Sequence, residues 1–167
     1  MDQQGELVTL EEQDRSLWDE DAIKVGLRLV ETALRLAREG TYQLQAAIAA
    51  VHAEAKSPEE TDWRQIAALY AELLRIKPSP VVALNHAAAI AMSEGFAEGL
   101  RLMDEIGVAS KLDGYYFFHG ARADLLRRLE RVEEARSAYS RALELTENEV
   151  EQKHVRRRMR ELVSGRQ

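Results

Sequence analysis

Residues 81–106, VVALNHAAAIAMSEGFAEGLRLMDEI, lie over residues 117–143, FFHGARADLLRRLERVEEARSAYSRAL, at an offset of 36. In that register Ala87 meets Ala123, Gly99 meets Ala135, and Met103 meets Tyr139. Small residues recur where two helices of a pair must approach closely, and a larger one recurs a turn later to fill the space beside them. An earlier pair, YQLQAAIAAVHAEA (42–55) and WRQIAALYAELLRIKP (63–78), has the same outline, with SPEETD inserted between its halves. The repeating unit is therefore two helices, and it occurs three times.

Working outward from these pairs, a period of 3.6 holds almost everywhere. Ile23, Leu27, Val30, Leu34 and Ala37 fall at steps of four, three, four and three, which makes one stripe on a helix. Similar stripes run through the six helices of the three pairs and through EVEQKHVRRRMREL (149–162), so the chain is expected to hold about eight helices. No segment alternates with period two between turn residues, which predicts an all-α chain. Breaks are expected at Glu39-Gly40, Ser57-Pro58, Lys77 to Pro80, Glu94-Gly95 and Asp113-Gly114. The connections are short apart from residues 55–61, so neighbouring helices are expected to pack antiparallel. Ala142, Leu143 and Leu145 complete the last pair, and Pro78 ends the first, in a way that resembles the tetratricopeptide (TPR) repeat. The fold class is thus TPR-like: antiparallel helix pairs in a short right-handed superhelix.

Composition narrows the functional classes. The 167 residues are 46% apolar and 31% charged, enough to bury one substantial core. There is no cysteine, which removes disulfides and thiolate metal sites and fits a reducing compartment. No apolar run reaches the ~18 residues of a membrane helix, and the acidic start is unlike a secretion signal, so a cytoplasmic location is expected. Net charge is −6; residues 151–167 carry six Lys/Arg against two Glu, leaving −10 on residues 1–150. An acidic body of that size opposes broad binding of a phosphate backbone. Within the last helix, Arg156, Arg157 and Arg160 could face one way toward nucleic acid, but aromatic residues are not interleaved with them.

Enzymatic chemistry finds no support. His52-Ala53-Glu54 imitates the HxE of zinc deaminases, whose cysteine ligands are missing here. His52, His86, His119 and His154 are evenly spaced, but the repeat offset maps His86 onto Arg122 and not onto His119, so they do not form a metal ladder. No phosphate loop or serine elbow occurs. The acids sit at helical pairing distance from arginines, as Glu133 does from Arg136. Neither a catalytic residue, a metal site nor a cofactor is expected. In the acidic stretch LEEQDRSLWDEDAI (10–23), Ser16 followed by Asp19 reads as a capping box opening the first helix. Arg15 is left without a role by that reading.

QDRSLWD (13–19), YQLQAAIAAVHAEA (42–55), TDWRQIAALYAELL (61–74), PSPVVALNHAAAIA (78–91) and ARADLLRRLERVEEARSAYSRALELTENEVE (121–151) together resemble the C-terminal extension of a group of bacterial extracytoplasmic-function (ECF) RNA polymerase sigma factors. In that group a TPR-like extension follows the two sigma domains. The resemblance covers nearly the whole chain; His86 departs from it, since the family often has arginine after LN. It implies that residues 1–15 are a linker from missing upstream sigma domains and that 16–165 form the helical-repeat domain. The implied function is regulatory: tuning transcription initiation through the sigma domains, RNA polymerase or a partner protein, with promoter DNA touched only by the missing domains. A free-standing TPR adaptor for a peptide of an unrelated partner is the competing reading. Repeat geometry places Gln43, Ala47, Asn85, Ala88, Asp124 and Arg128 toward a concave groove, where Asn85 can donate and accept and Arg128 can grip a carboxylate. The groove could instead be filled by the chain itself. Arg15 and Trp18 are the candidate contacts at the junction.

Overall fold

The computed structural model describes residues 7–35 and 40–164. Among them are eight α-helices and no strand: α1 Glu20–Arg35, α2 Thr41–Glu54, α3 Trp63–Ile76, α4 Pro80–Glu94, α5 Phe96–Ser110, α6 Tyr116–Arg128, α7 Val132–Leu145 and α8 Glu149–Ser164. Every helix expected from periodicity is present, and each expected break separates two of them. Ala37 and the side chain of Leu34, both assigned to the first stripe, and Glu39 of the first expected break lie outside the described residues.

Local chemistry explains the boundaries. The Asp62 carboxylate accepts from the Gln65 N–H and opens α3, and Asn148 Oδ1 does the same for the Val150 N–H of α8. At the first helix the capping box is corrected. Asp14 accepts from both the backbone N–H and the hydroxyl of Ser16, which closes a 3₁₀ turn over Arg15–Leu17, while Asp19 accepts from the Ala22 N–H and starts α1. Ser16 thus donates within its own turn. A carboxylate outcompetes a hydroxyl as acceptor, and the sequence offers one at each turn.

The helices divide into two compact units, one of Leu10–Ser93 and the other of residues 94–164 together with residues 7–9. In the unit Leu10–Ser93, α1 packs on α2 and α2 on α3. Its core joins Ile48 and Val51 of α2, Ile66 and Ala67 of α3 and Ala89 of α4, with Trp63, Leu69, Tyr70 and Ile90 against them. None of the described side chains of α1 is fully buried.

The second unit, built on residues 94–164, packs α6 against α5 and α7, and α7 against α8. Met103, Leu126, Tyr139 and Val155 are each at most 2% exposed. The register read from the sequence is visible in burial: Ala87 and Ala123 are both 0% exposed, Gly99 and Ala135 are both buried, and Met103 and Tyr139 are 1% and 2% exposed. At the turn from α6 to α7 the chain takes a left-handed residue, Glu130, at φ 59, and the Arg131 N–H returns to the Leu126 carbonyl.

Candidate functional site

The most extensive polar cluster lies around Arg15, one of the two residues expected at a junction, and gives that side chain a role. Its guanidinium donates from Nη1 to the carbonyls of His52 at 3.1 Å and Ala55 at 2.7 Å, and from Nη2 to the Thr61 hydroxyl at 3.1 Å. Carbonyls at the end of a helix have no partner within it, and the helix dipole favours a cation there. Arg15 therefore closes the end of α2, and through the buried Thr61 it ties the Leu10–Leu17 stretch to the α2–α3 connection. Trp18 lies 5.1 Å below the guanidinium and donates from Nε1 to Gln13 Oε1.

His52 belongs to the same cluster. Its ring meets Trp63 edge-on at 5.1 Å, and burial, aided by the positive charge of Arg15, holds its pKa below the ordinary histidine value. A neutral imidazole wedged against an indole is a packing element. Among the described residues no group of three His, Cys, Asp or Glu could hold a metal.

The six groove residues fall in both units. Gln43, Ala47, Asn85 and Ala88 are in the first; Asp124 and Arg128 are in the second. Ala47 is buried and contributes packing, Gln43 folds back over Gly40, Ala88 is half-buried, and Asn85 is exposed on α4. Arg128 bonds Asp124 Oδ2 at 2.8 Å and stacks on Phe96 at 5.1 Å, while Arg127 bonds Asp124 Oδ1 at 2.6 Å. Burial would raise the Asp124 pKa, but the bonds from Arg128 and Arg127 outweigh it and hold the carboxyl below its usual range. The guanidinium expected to grip a partner's carboxylate thus already holds one from its own helix. Close by, burial and then the charge of Asp124 push the Tyr139 hydroxyl up to about 12.

Sequence reasoning passed over one surface feature, the turn between α5 and α6. Lys111 takes the left-handed conformation at φ 53, and a 3₁₀ turn follows over Leu112–Gly114. His119, itself buried, bonds the Asp113 carbonyl through Nε2 at 2.9 Å, and Phe118 packs against Gly107 so closely that a Cβ there would meet its ring. On this fixed base Phe117 stands 56% exposed, flanked by Tyr115 and Tyr116 with ring centroids 5.6 and 5.0 Å away, and Val108 on α5 is 85% exposed. Exposed aromatics are residue types that anchor protein interfaces. The run YYFF directly after Asp113-Gly114 was the available signal; it was read only as part of a helical stripe.

The basic face of α8 also differs from expectation. Arg157 turns toward the Leu7 carbonyl and His154, so it does not share a face with Arg156 and Arg160. Those two instead line a shallow concavity of about 450 Å³ with Lys153 and Met159.

Comparison with known proteins bears on fold first. The first TPR of Spaghetti (RPAP3), solved bound to the HSP90 peptide SRMEEVD, superposes with a TM-score of 0.51 at 17% identity, covering 88% of this chain and 94% of that one. The fold is therefore a TPR-like helical repeat. Residues 1–34 match a family described as "Family of unknown function (DUF6596)". An uncharacterized protein of Rhizobium meliloti (strain 1021) is 44% identical over 163 residues, which is 98% of this chain and 38% of that protein. The chain thus spans little more than a third of the length of that relative. Among the described residues no helix is long and apolar enough to cross a membrane.

Proposed function

We propose that this chain is a cytoplasmic protein-interaction module of the transcription-initiation machinery, acting as the regulatory C-terminal extension of an ECF sigma factor through its sigma domains, RNA polymerase or a partner protein. One observation carries the reading. The family matched at residues 1–34 is one that in other proteins sits with sigma factor regions, and this same stretch contains the arginine that clasps the helical repeat. Hydrogen bonds from Arg15 join a segment of that kind to the TPR-like unit, which supports reading the unit as its regulatory extension. Such all-helical repeats are typically non-catalytic, and the peptide held by the RPAP3 neighbour is an instance of the binding role this architecture serves.

The surface best suited to a protein partner is the aromatic turn at Phe117. The test is promoter-dependent transcription by the longer protein with RNA polymerase, comparing wild type with Phe117→Ser and with Arg15→Ala. Loss of activity in Phe117→Ser at unchanged melting temperature, together with altered activity in Arg15→Ala, is the expected result. Full activity in the longer protein after deletion of residues 16–164 would sink the regulatory reading and favour an adaptor for an unrelated partner.

A further inference from the structure

On α3, α5 and α7, surface arginines pair with an acid of their own helix: Arg75 bonds Glu72 at 2.6 Å, Arg101 bonds Glu98 at 2.6 Å and Arg141 bonds Glu144 at 2.8 Å. On one face of α8 that pairing stops. Among the described residues Lys153 and Arg156, both exposed, contact no carboxylate, and Arg156 bonds the neutral Gln152 amide oxygen at 3.2 Å. With Met159 and Arg160 they line the concavity of about 450 Å³. The acids of α8 do not cancel this charge: Glu151 bonds the Thr146 hydroxyl, Glu161 is held by Arg158 at 3.0 Å, and Glu149 stands one turn before Lys153. Glu149, Lys153, Arg156 and Arg160 fall at i, i+4, i+7 and i+11, so the stripe holds three cations and, at its N-terminal edge, one acid.

Charge and dimensions identify the occupant. Lys153 and Arg160 are seven residues apart, about 10 Å along the helix axis, a distance that an extended chain covers in about three residues. Met159, half-buried, gives the wall an apolar element, and the methylene stems of the cations extend it. Nucleic acid fits worse. Its binding draws on cations spread along a phosphate backbone, whereas Arg157 turns to the Leu7 carbonyl, three cations remain on this face, and residues 1–150 carry −10. We infer that this face of α8 binds an acidic peptide segment of a partner protein, with carboxylates on Lys153, Arg156 and Arg160 and an apolar side chain between them resting on Met159. Guanidinium groups can hold carboxylates bidentately, which adds geometric selectivity to charge. The surface is distinct from the groove read from repeat geometry, whose six candidates lie on α2, α4 and α6, and it does not rest on the sigma-factor reading.

The test is fluorescence anisotropy of a labelled heptapeptide alternating glutamate with leucine, titrated with the full chain to about 1 mM. The peptide should bind weakly and lose affinity between about 50 and about 300 mM salt, while its glutamine counterpart should not bind. Arg156→Glu and Arg160→Glu should each weaken binding by about tenfold or more at an unchanged thermal melt, since both side chains are exposed. Glu149→Gln should tighten it, because that acid is the repulsive group on the stripe. Arg64→Glu, the same change in net charge made on α3, should leave it unaltered. A peptide that fails to bind overturns the proposal, as does binding indifferent to Arg156→Glu and Arg160→Glu, or equally weakened by Arg64→Glu. A short duplex DNA bound more tightly than the peptide would assign the face to nucleic acid and overturn it too.

Discussion

The α6–α7 pair and the junction around α1 are built from the same residue types by different means. The pair holds itself by apolar burial: Ala123, Leu126, Ala135, Tyr139 and Ala142 are essentially removed from water. The junction holds by polar contacts, with one guanidinium satisfying two helix-end carbonyls and a hydroxyl. Burial is non-directional and sums over many atoms, whereas the clasp is directional and rests on one side chain. Substitutions in the pair should therefore cost stability in proportion to the volume they remove or add, whereas loss of one side chain should release the junction at a smaller cost to the whole.

The largest expected effect is at Tyr139. Its ring is 2% exposed, so Tyr139→Ala should cost about 3–5 kcal/mol in a denaturant melt. Tyr139→Phe should be close to neutral, because among the described residues the buried hydroxyl makes no hydrogen bond of good geometry, with the Arg127 guanidinium only nearby. A large loss in the phenylalanine variant would mean that polar contacts govern the pair as well. Next come the close approaches. Ala123→Leu, and Gly107→Ala against the Phe118 ring, should each cost about 1–3 kcal/mol through overpacking, and equal behaviour to a surface change such as Glu98→Gln would break the repeat register.

For Arg15→Ala the expected loss is about 1–2 kcal/mol, accompanied by a change in Trp18 emission and faster amide exchange in residues 10–18. Unaltered exchange there would show that the clasp does not hold the junction.

His52 sharpens the same contrast by pH. Its pKa is lowered in the folded chain, so the folded state favours the neutral ring and the unfolded state binds the proton more readily. Its contribution is present above the unfolded value of about 6.5 and is lost as pH falls from there toward the folded pKa. His52→Gln should flatten that part of the stability profile, and Arg15→Ala should flatten it partly. The smallest effect is a gain: Glu130→Gly relieves a left-handed backbone and should stabilise by about 1 kcal/mol or less.

Much of this was legible in the sequence because helices and their pairing are written in local spacing. Ala87 and Ala123, or Met103 and Tyr139, are identifiable from one offset, since burial on a repeat follows position within the repeat. The junction was only half legible: Ser16 was assigned the cap that Asp14 and Asp19 share, because pattern rules cannot rank competing acceptors two and three residues away. The bond from Arg128 to Asp124 was legible as well, since the two stand four residues apart at helical pairing distance, although the groove reading of Arg128 did not use it.

By itself, then, the sequence determined the eight helices, their breaks, the small-residue register of the pairs and the resemblance to a transcription-factor extension. These are periodic or compositional properties, carried by residues close in the chain. Only the tertiary structure decided where Arg15 reaches, a contact that joins residues 37 to 46 positions apart. It alone showed that Phe117 stands out from the turn while Phe118 is buried, and that Arg157 turns away from Arg156 and Arg160 on α8. Long side chains choose among partners brought near by folding, and nothing in local spacing encodes that choice.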